Sequence, residues 1–198
     1  MTDRSSTLLI ACGALGADAV AVLKQPGLDH VKLTCLPAKL HNSPQKIPEL
    51  LRAKIRKGRQ NFSDILVLYG DCGTAGGIDA VLKEEGARRI EGAHCYEFFA
   101  GSNTFAAMSE DEPGSFYLTD FLTRHFESLV WRGLGLEKNP ELLPLYFGNY
   151  TRLVYLAQSP NDELIEKAKL AASRLKLKFE YRETGLFGIQ NFLTENVH

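Results

Sequence analysis

The sequence has almost no net charge and no long apolar run, and both absences exclude classes of protein. Its 23 basic and 24 acidic side chains give a net charge of -1, so it lacks the basic excess of a nucleic-acid-binding surface. No apolar stretch approaches the roughly 20 residues that span a bilayer. The first one, at residues 8–11, is too short for the core of a signal peptide. We therefore expect a cytoplasmic protein without nucleic-acid or membrane partners.

Local cofactor motifs are absent as well. No two of the four cysteines have the C-x-x-C spacing of a compact metal or redox motif. The glycines at residues 70–77 match neither the phosphate-binding loop nor the dinucleotide fingerprint. The chain also lacks internal repeats and low-complexity segments. Any functional site must therefore be assembled from residues that lie far apart in the sequence.

Short apolar segments alternate with longer segments along the sequence. Short runs typical of buried strands occur at residues 7–13, 31–36, 64–69, 87–90, 115–118, 151–156 and 178–182. Longer segments with helical spacing separate most of them. This alternation predicts an α/β fold, Rossmann-like, with a largely parallel sheet and helices on both faces. We expect a single domain over residues 1–198, in which residues 116–150 form a helical insertion or cover.

Three of the four cysteines follow predicted strands and stand close to glycine. Cys12 ends the first strand, Cys72 follows the third and Cys95 follows the fourth. Parallel strands end at one edge of a sheet, and ligands of open α/β sheets bind outside that edge. We therefore expect the three thiols to lie close together. Cys35 lies inside the second strand, so core packing explains it better.

Three thiolates and a neighbouring histidine suit a soft metal ion. Zinc accepts Cys and His ligands in tetrahedral sites, and three protein ligands leave one position open for water or substrate. The sequence therefore predicts a zinc site formed by Cys12, Cys72, Cys95 and His94. His41 is a second candidate for the fourth position. An iron–sulfur cluster is the alternative cofactor.

The residues around the thiols are candidates for binding a small-molecule ligand. Glycine lets a ligand approach the backbone closely, and a loop that opens a helix offers backbone donors. The predicted substrate-binding residues are His41, Gly70, Asp71, Gly73, Thr74 and Tyr117. Each also has a structural explanation, since the glycines suit a tight turn, His41 a solvated loop and Tyr117 sheet packing.

The predicted thiol site favours a metal-binding protein, with a zinc-dependent small-molecule or methyl-transfer enzyme as one form of it. A metal-free enzyme is the alternative. In it Cys72 is the nucleophile, His41 or His94 is its base, and backbone N–H groups from Gly73 onward stabilise an oxyanion. A third alternative is a corrinoid- or small-ligand-binding accessory protein. Whether the chain is an enzyme, which residues are catalytic and whether it forms a homo-oligomer stay open.

Five short motifs, taken in order along the chain, are typical of one family. They are I-A-C-G at residues 10–13, L-H-N-S-P at 40–44, L-Y-G-D-C-G at 68–73, H-C at 94–95 with F-A-G-S at 99–102, and P-G-S-F-Y-L-T at 113–119. Over roughly its whole length the chain resembles the DUF1638 domain family of bacteria and archaea. The resemblance supports the choice of Cys12, Cys72, Cys95, His41 and His94. It also implies an association with corrinoid-dependent methyl-transfer systems, and thus a corrinoid-system partner.

Overall fold

The computed structural model describes residues 6–197, and the described part contains seven strands and nine α-helices. The strands are β1 Thr7–Cys12, β2 Val31–Leu36, β3 Asp64–Leu68, β4 Arg88–Arg89, β5 Ser115–Leu118, β6 Arg152–Ala157 and β7 Lys178–Glu183. The helices are α1 Gly16–Leu23, α2 Ile47–Gly58, α3 Gly77–Glu85, α4 Cys95–Ala100, α5 Ser102–Asp111, α6 Asp120–Arg124, α7 Leu143–Phe147, α8 Asp162–Leu175 and α9 Phe187–Asn196. All seven predicted strands are present.

Every strand pair in the described residues is parallel, which confirms the predicted Rossmann-like α/β fold. The strands form two sheets, one in the order β2-β1-β3-β4 and one in the order β5-β6-β7. The chain divides into two compact units. The first comprises the described residues up to 98 together with those from 186 onward, and the second comprises residues 99–185. The predictions of one domain and of a helical cover at residues 116–150 stay predictions.

The first unit is built around β1, the strand whose six residues are all buried. It lies between β2 and β3, so an uninterrupted apolar run such as Leu8–Ile10 is covered by protein. Helix α2 contributes a buried stripe at Ile47, Leu51 and Ile55, which is the four-residue spacing of one helical face. Gly58 ends this stripe, and a Cβ there would lie 2.5 Å from a methyl carbon of Leu8. The glycine therefore permits close packing of the helix on the sheet.

Strand register in the first unit aligns the loops that carry the predicted site. Ala11 pairs with Cys35 on one side and with Leu68 on the other. Because all these strands run in the same direction, the segments after β1, β2, β3 and β4 leave from the same edge of the sheet. The prediction of a common sheet edge for these segments is correct.

The second unit is built around β6, which pairs with β5 and β7. Helix α8 buries Leu164, Ala168, Ala171, Ala172 and Leu175 along one face. Its N-cap is Asn161, whose side-chain oxygen accepts a hydrogen bond from the backbone N–H of Leu164 at 2.9 Å. The helical segment that follows β5 divides into α6 and a π-helical turn at Glu127–Trp131.

No helix within residues 6–197 is both long enough and apolar enough to cross a membrane. The cytoplasmic location and the absence of nucleic-acid and membrane partners stay predictions.

Candidate functional site

The carboxyl edge of the first sheet gathers most of the residues that the sequence singles out. Cys12 is the last residue of β1, and His41 lies in the 3-10 turn Ala38–Asn42 after β2. Cys72 lies in the loop after β3, and Cys95 is the first residue of α4. Only 2% of Cys12 is exposed, whereas Cys72 and Cys95 are half-buried and His41 is exposed. We call Cys12, His41 and Cys72 the thiol–imidazole cluster.

Cys12 and His41 form the closest contact recorded in this cluster. The Cys12 Sγ atom lies 3.8 Å from the His41 Nδ1 atom. The same Nδ1 atom lies 3.1 Å from the carbonyl oxygen of Ala38. A carbonyl oxygen can only accept a hydrogen bond, so Nδ1 carries the proton and donates. The Cys12 sulfur is therefore on the accepting side of this contact.

The pKa values of the pair shift in the directions that this geometry requires. Burial is the largest single influence and raises the pKa of the Cys12 thiol, but the His41 N–H and its positive charge, together with weaker donors, outweigh burial, so the net shift is downward. The backbone N–H of Ala14 lowers the Cys12 pKa further. Contact with Cys12, and then with Cys72, raises the pKa of His41 to about 10 against an opposing effect of burial. Between the lowered pKa of Cys12 and the raised pKa of His41 the pair is therefore a thiolate beside an imidazolium.

The loop that carries Cys72 is closed by Asp71. The Asp71 carboxylate accepts hydrogen bonds from the Thr74 hydroxyl at 2.7 Å and from the amides of Ala75 and Gly76 at 3.1 and 2.9 Å. The amide of Thr74 donates to the Asp71 carbonyl, and the amide of Gly77 donates to the Thr74 carbonyl. The amides of residues 74–77 are thus engaged within the loop. These four amides are therefore not available to an oxyanion, whereas the expectation for the Gly73 amide stays a prediction.

Cys72 itself has a backbone conformation that is uncommon for a residue with a side chain. Its φ is 51°, in the left-handed region. Its amide donates to the Ala93 carbonyl at 3.2 Å, which ties the loop after β3 to the segment after β4. Gly70 makes this approach feasible, because a Cβ there would lie 2.9 Å from the Ala93 oxygen and 3.1 Å from the His94 Cα. The glycine is therefore explained by backbone contact within the protein.

Cys95 and His94 lie at the same edge of the sheet as the thiol–imidazole cluster. They are not placed so that they and the cluster could bind one zinc ion together. Loss of water around the Cys95 thiol raises its pKa, and the charges of Cys72 and Cys12 raise it further. Cys95 is therefore a protonated thiol in the metal-free protein. His94 is exposed, and its ring centroid lies 6.4 Å from that of Tyr96.

The predicted metal ligands do not fit a metal ion as they stand. In the part of the chain that the structure describes, no group of three or more His, Cys, Asp or Glu residues is placed to hold one. A tetrahedral site would need its ligands to converge within about 2.3 Å of a common centre. The zinc and iron–sulfur assignments therefore stay predictions without a fitted site.

Tyr69 is the residue of this edge that the sequence interpretation missed. It follows β3 directly and is fully buried. Its hydroxyl and Cys12 perturb each other, since the Cys12 charge raises the Tyr69 pKa and the hydroxyl lowers the Cys12 pKa. In the sequence Tyr69 was counted as an apolar strand residue. The sequence feature that could have identified Tyr69 is a hydroxyl-bearing residue at the end of a buried strand, just before a glycine.

The remaining predicted substrate-binding residues have structural contacts of their own. Tyr117 belongs to the second unit, where its ring centroid lies 5.1 Å from that of Phe105. Gly73 has a φ of 79° in the Asp71 loop, and Thr74 closes that loop. The substrate-binding roles of His41, Gly70, Asp71, Gly73, Thr74 and Tyr117 stay predictions.

Replacing Asp71 with alanine is expected to lower the free energy of unfolding by about 2 kcal/mol, because the change removes a charged acceptor of three hydrogen bonds. Urea unfolding of both proteins measures the loss. The Asp71 pKa is lowered, chiefly by the Thr74 hydroxyl. Its stabilisation is therefore present above the ordinary carboxyl pKa and is lost as the pH falls through the lowered one.

Glu166→Ala is the control for this prediction. Glu166 is exposed and pairs with the exposed Lys169 on the surface of α8, so its loss is expected to cost less than about 1 kcal/mol. Equal losses in the two variants would show that the Asp71 hydrogen bonds do not stabilise the loop.

Comparison with known proteins agrees with the family resemblance seen in the sequence. The profile of DUF1638, described as a protein of unknown function, matches residues 35–193. The matched part includes His41, Cys72 and Cys95 and begins after Cys12. Searches of curated proteins and of solved structures found no match to the chain. Because the matched residues cover well over half of the sequence, the chain belongs to the DUF1638 family.

Proposed function

We propose that the protein is a thiol-dependent enzyme in which Cys12 is the nucleophile and the substrate is an electrophilic small molecule. The observation that supports this proposal is the 3.8 Å contact between Cys12 Sγ and His41 Nδ1. The Ala38 carbonyl fixes the proton on that nitrogen. Since the thiolate is the reactive form of cysteine, a donor held against the sulfur gives the activated nucleophile that covalent catalysis requires.

The structure favours Cys12 over Cys72 as the nucleophile. His41 contacts both sulfurs, but the contact with Cys12 has the larger effect on its pKa. The Cys12 thiol is also at the end of β1, the strand that is held between two neighbours. Reacting groups on rigid elements are positioned better than groups on loops, whereas Cys72 lies in a loop with a left-handed backbone.

His41 has two roles in this proposal. As an imidazolium it stabilises the thiolate, and it can then protonate the leaving group of the substrate. His41 is exposed while Cys12 is buried, and this exposure suits proton exchange between the imidazole and the medium after each turnover.

Limited alkylation with iodoacetamide tests the proposal. With less than one equivalent of reagent at neutral pH, we expect the label on Cys12, located by peptide mass spectrometry. Cys12→Ser is expected to lose most of the fast labelling. Cys35→Ser is the matched control and should keep it, because burial and the charge of Cys12 raise the Cys35 pKa.

Two results would contradict the proposal. The first is labelling of Cys12 no faster than that of Cys35. The second is labelling that becomes fast only after a chelator removes one equivalent of a bound transition metal, which would instead support the zinc prediction.

A further inference from the structure

The hydroxyl of Tyr69 lies beside the proposed nucleophile and is buried without an ordinary partner. None of Tyr69 is exposed. Its oxygen has no hydrogen-bond partner of normal geometry among residues 6–197, and the Cys12 thiol is the group whose interaction with it has the largest effect on its pKa. A buried hydroxyl without a well-formed hydrogen bond is unfavourable, so its retention at the end of a core strand needs a reason.

The strand register explains why this hydroxyl faces Cys12. Ala11 pairs with Leu68, so Cys12 and Tyr69 occupy neighbouring positions one residue further along β1 and the chain after β3. Neighbours in register project from the same face of a sheet. The effects of the two side chains on each other's pKa agree with this placement.

Tyr69 is a donor under all ordinary conditions. Burial, followed by the negative charge of Cys12, raises its pKa, so the phenol keeps its proton. A phenol O–H next to a thiolate can donate to an oxygen on the carbon that the sulfur attacks. The nearby loop amides of residues 74–77 already donate within their own loop. The Tyr69 hydroxyl is therefore a better candidate than these amides for the donor that stabilises an oxyanion.

We infer that Tyr69 donates a hydrogen bond to the carbonyl oxygen of an acyl substrate, such as a small ester or thioester, and stabilises the oxyanion formed there. The inference rests on the proposed function of Cys12. It defines the substrate class as acyl compounds and the chemistry as acyl transfer or hydrolysis.

The reaction balances with the groups present. The Cys12 thiolate attacks the carbonyl carbon, a C–S bond forms and the C=O electron pair moves to the oxygen that Tyr69 contacts. The oxyanion collapses and expels the leaving group, which takes a proton from the His41 imidazolium. Water or another acceptor then attacks the thioester and gives its proton to His41, which restores the thiolate and the imidazolium.

The reaction rates of Cys12 with two reagents distinguish oxyanion stabilisation by the Tyr69 hydroxyl from a purely structural role of Tyr69. p-Nitrophenyl acetate carries a carbonyl oxygen and acetylates a thiolate, whereas methyl iodide has no oxygen and methylates it. Both rates at Cys12 are measured by mass spectrometry on the high-pH plateau, where the thiolate fraction no longer limits them. Tyr69→Phe is expected to slow acetylation about a hundredfold, the effect of losing one oxyanion donor, and to leave methylation within about twofold.

Tyr155→Phe is the matched control. Tyr155 is also fully buried in a central parallel strand, but its hydroxyl donates to Asp120 at 2.7 Å. This variant should lower the unfolding midpoint by about 5 °C and leave both rates at Cys12 unchanged. Tyr69→Phe should leave the midpoint unchanged or raise it, because it removes a hydroxyl without a normal partner.

Wild-type protein provides a second measurement that does not depend on the variant folding. Replacing the carbonyl oxygen of the ester with sulfur weakens a hydrogen bond from Tyr69, so the protein should discriminate against the thiono ester at least tenfold more than a free thiol does. Equal discrimination, or equal slowing of acetylation and methylation by Tyr69→Phe, would overturn the inference. Failure of both reagents to modify Cys12 of the wild type would instead reject the proposed nucleophile.

Discussion

Replacing His41 with alanine is expected to slow the alkylation of Cys12 at least about tenfold at neutral pH. Burial is the largest single influence on the Cys12 pKa and acts upward, and the His41 contact is the largest of the influences that lower it. Without His41 the pKa of the Cys12 thiol should therefore rise. Each unit of upward shift lowers the thiolate fraction about tenfold at a pH below the pKa.

The pH profile of alkylation gives the sign of this effect. In the wild type the rate should rise with pH and have its midpoint below the ordinary thiol pKa, because folding favours the thiolate. In His41→Ala the midpoint should move upward, so the two rates converge at high pH. His125→Ala, a change at an exposed histidine of the second unit, is the control and should leave the midpoint in place.

A His41→Ala midpoint equal to that of the wild type would contradict the pairing of Cys12 with His41. It would leave the Ala14 amide as the main source of the lowered Cys12 pKa. A midpoint that rises in both histidine variants would indicate a general loosening of the fold.

Replacing Asp120 with alanine is expected to cost about 3–5 kcal/mol of the free energy of unfolding. Only 1% of Asp120 is exposed. Its carboxylate accepts hydrogen bonds from the Tyr155 hydroxyl at 2.7 Å, from the Gln158 amide at 3.1 Å and from the Ser159 amide at 3.0 Å. The change leaves these donors without their acceptor at the ends of β5 and β6, which is the costly case for buried polar groups.

Thermal unfolding checks this prediction, with an expected fall of roughly 10 °C or more in the midpoint. Glu163→Ala is the control, since Glu163 is exposed and pairs with Lys167 on the surface of α8, where an ion pair adds less than about 1 kcal/mol. If Asp120→Ala unfolds at the same temperature as this control, the buried network does not hold the second sheet together.

Much of the secondary structure follows from local patterns in the sequence. The buried run before Cys12 and the four-residue stripe through Ile47, Leu51 and Ile55 are readable without coordinates, because burial on one or both faces sets the spacing of apolar residues. The division of strands between two sheets was not readable. Strand partners depend on packing between distant segments, which a local pattern does not encode.

In the candidate site too, the sequence predicts where residues lie but not which atoms contact each other. The placement of Cys12, His41, Cys72 and Cys95 at one edge follows from parallel strands and was expected. The sequence could not rank these residues by protonation. Cys12 and Cys95 are both cysteines at strand ends, yet contact with His41 lowers the pKa of one and loss of water raises that of the other.

By itself the sequence determined that three thiols and a histidine lie at the carboxyl edge of a parallel α/β sheet, because alternating strands and helices admit few other arrangements. Tertiary structure alone decided which thiol is paired with the imidazole. It also placed the Tyr69 hydroxyl beside Cys12 and engaged the loop amides with Asp71. These outcomes depend on distances of a few ångströms and on burial, and both arise only when segments far apart in the chain pack together.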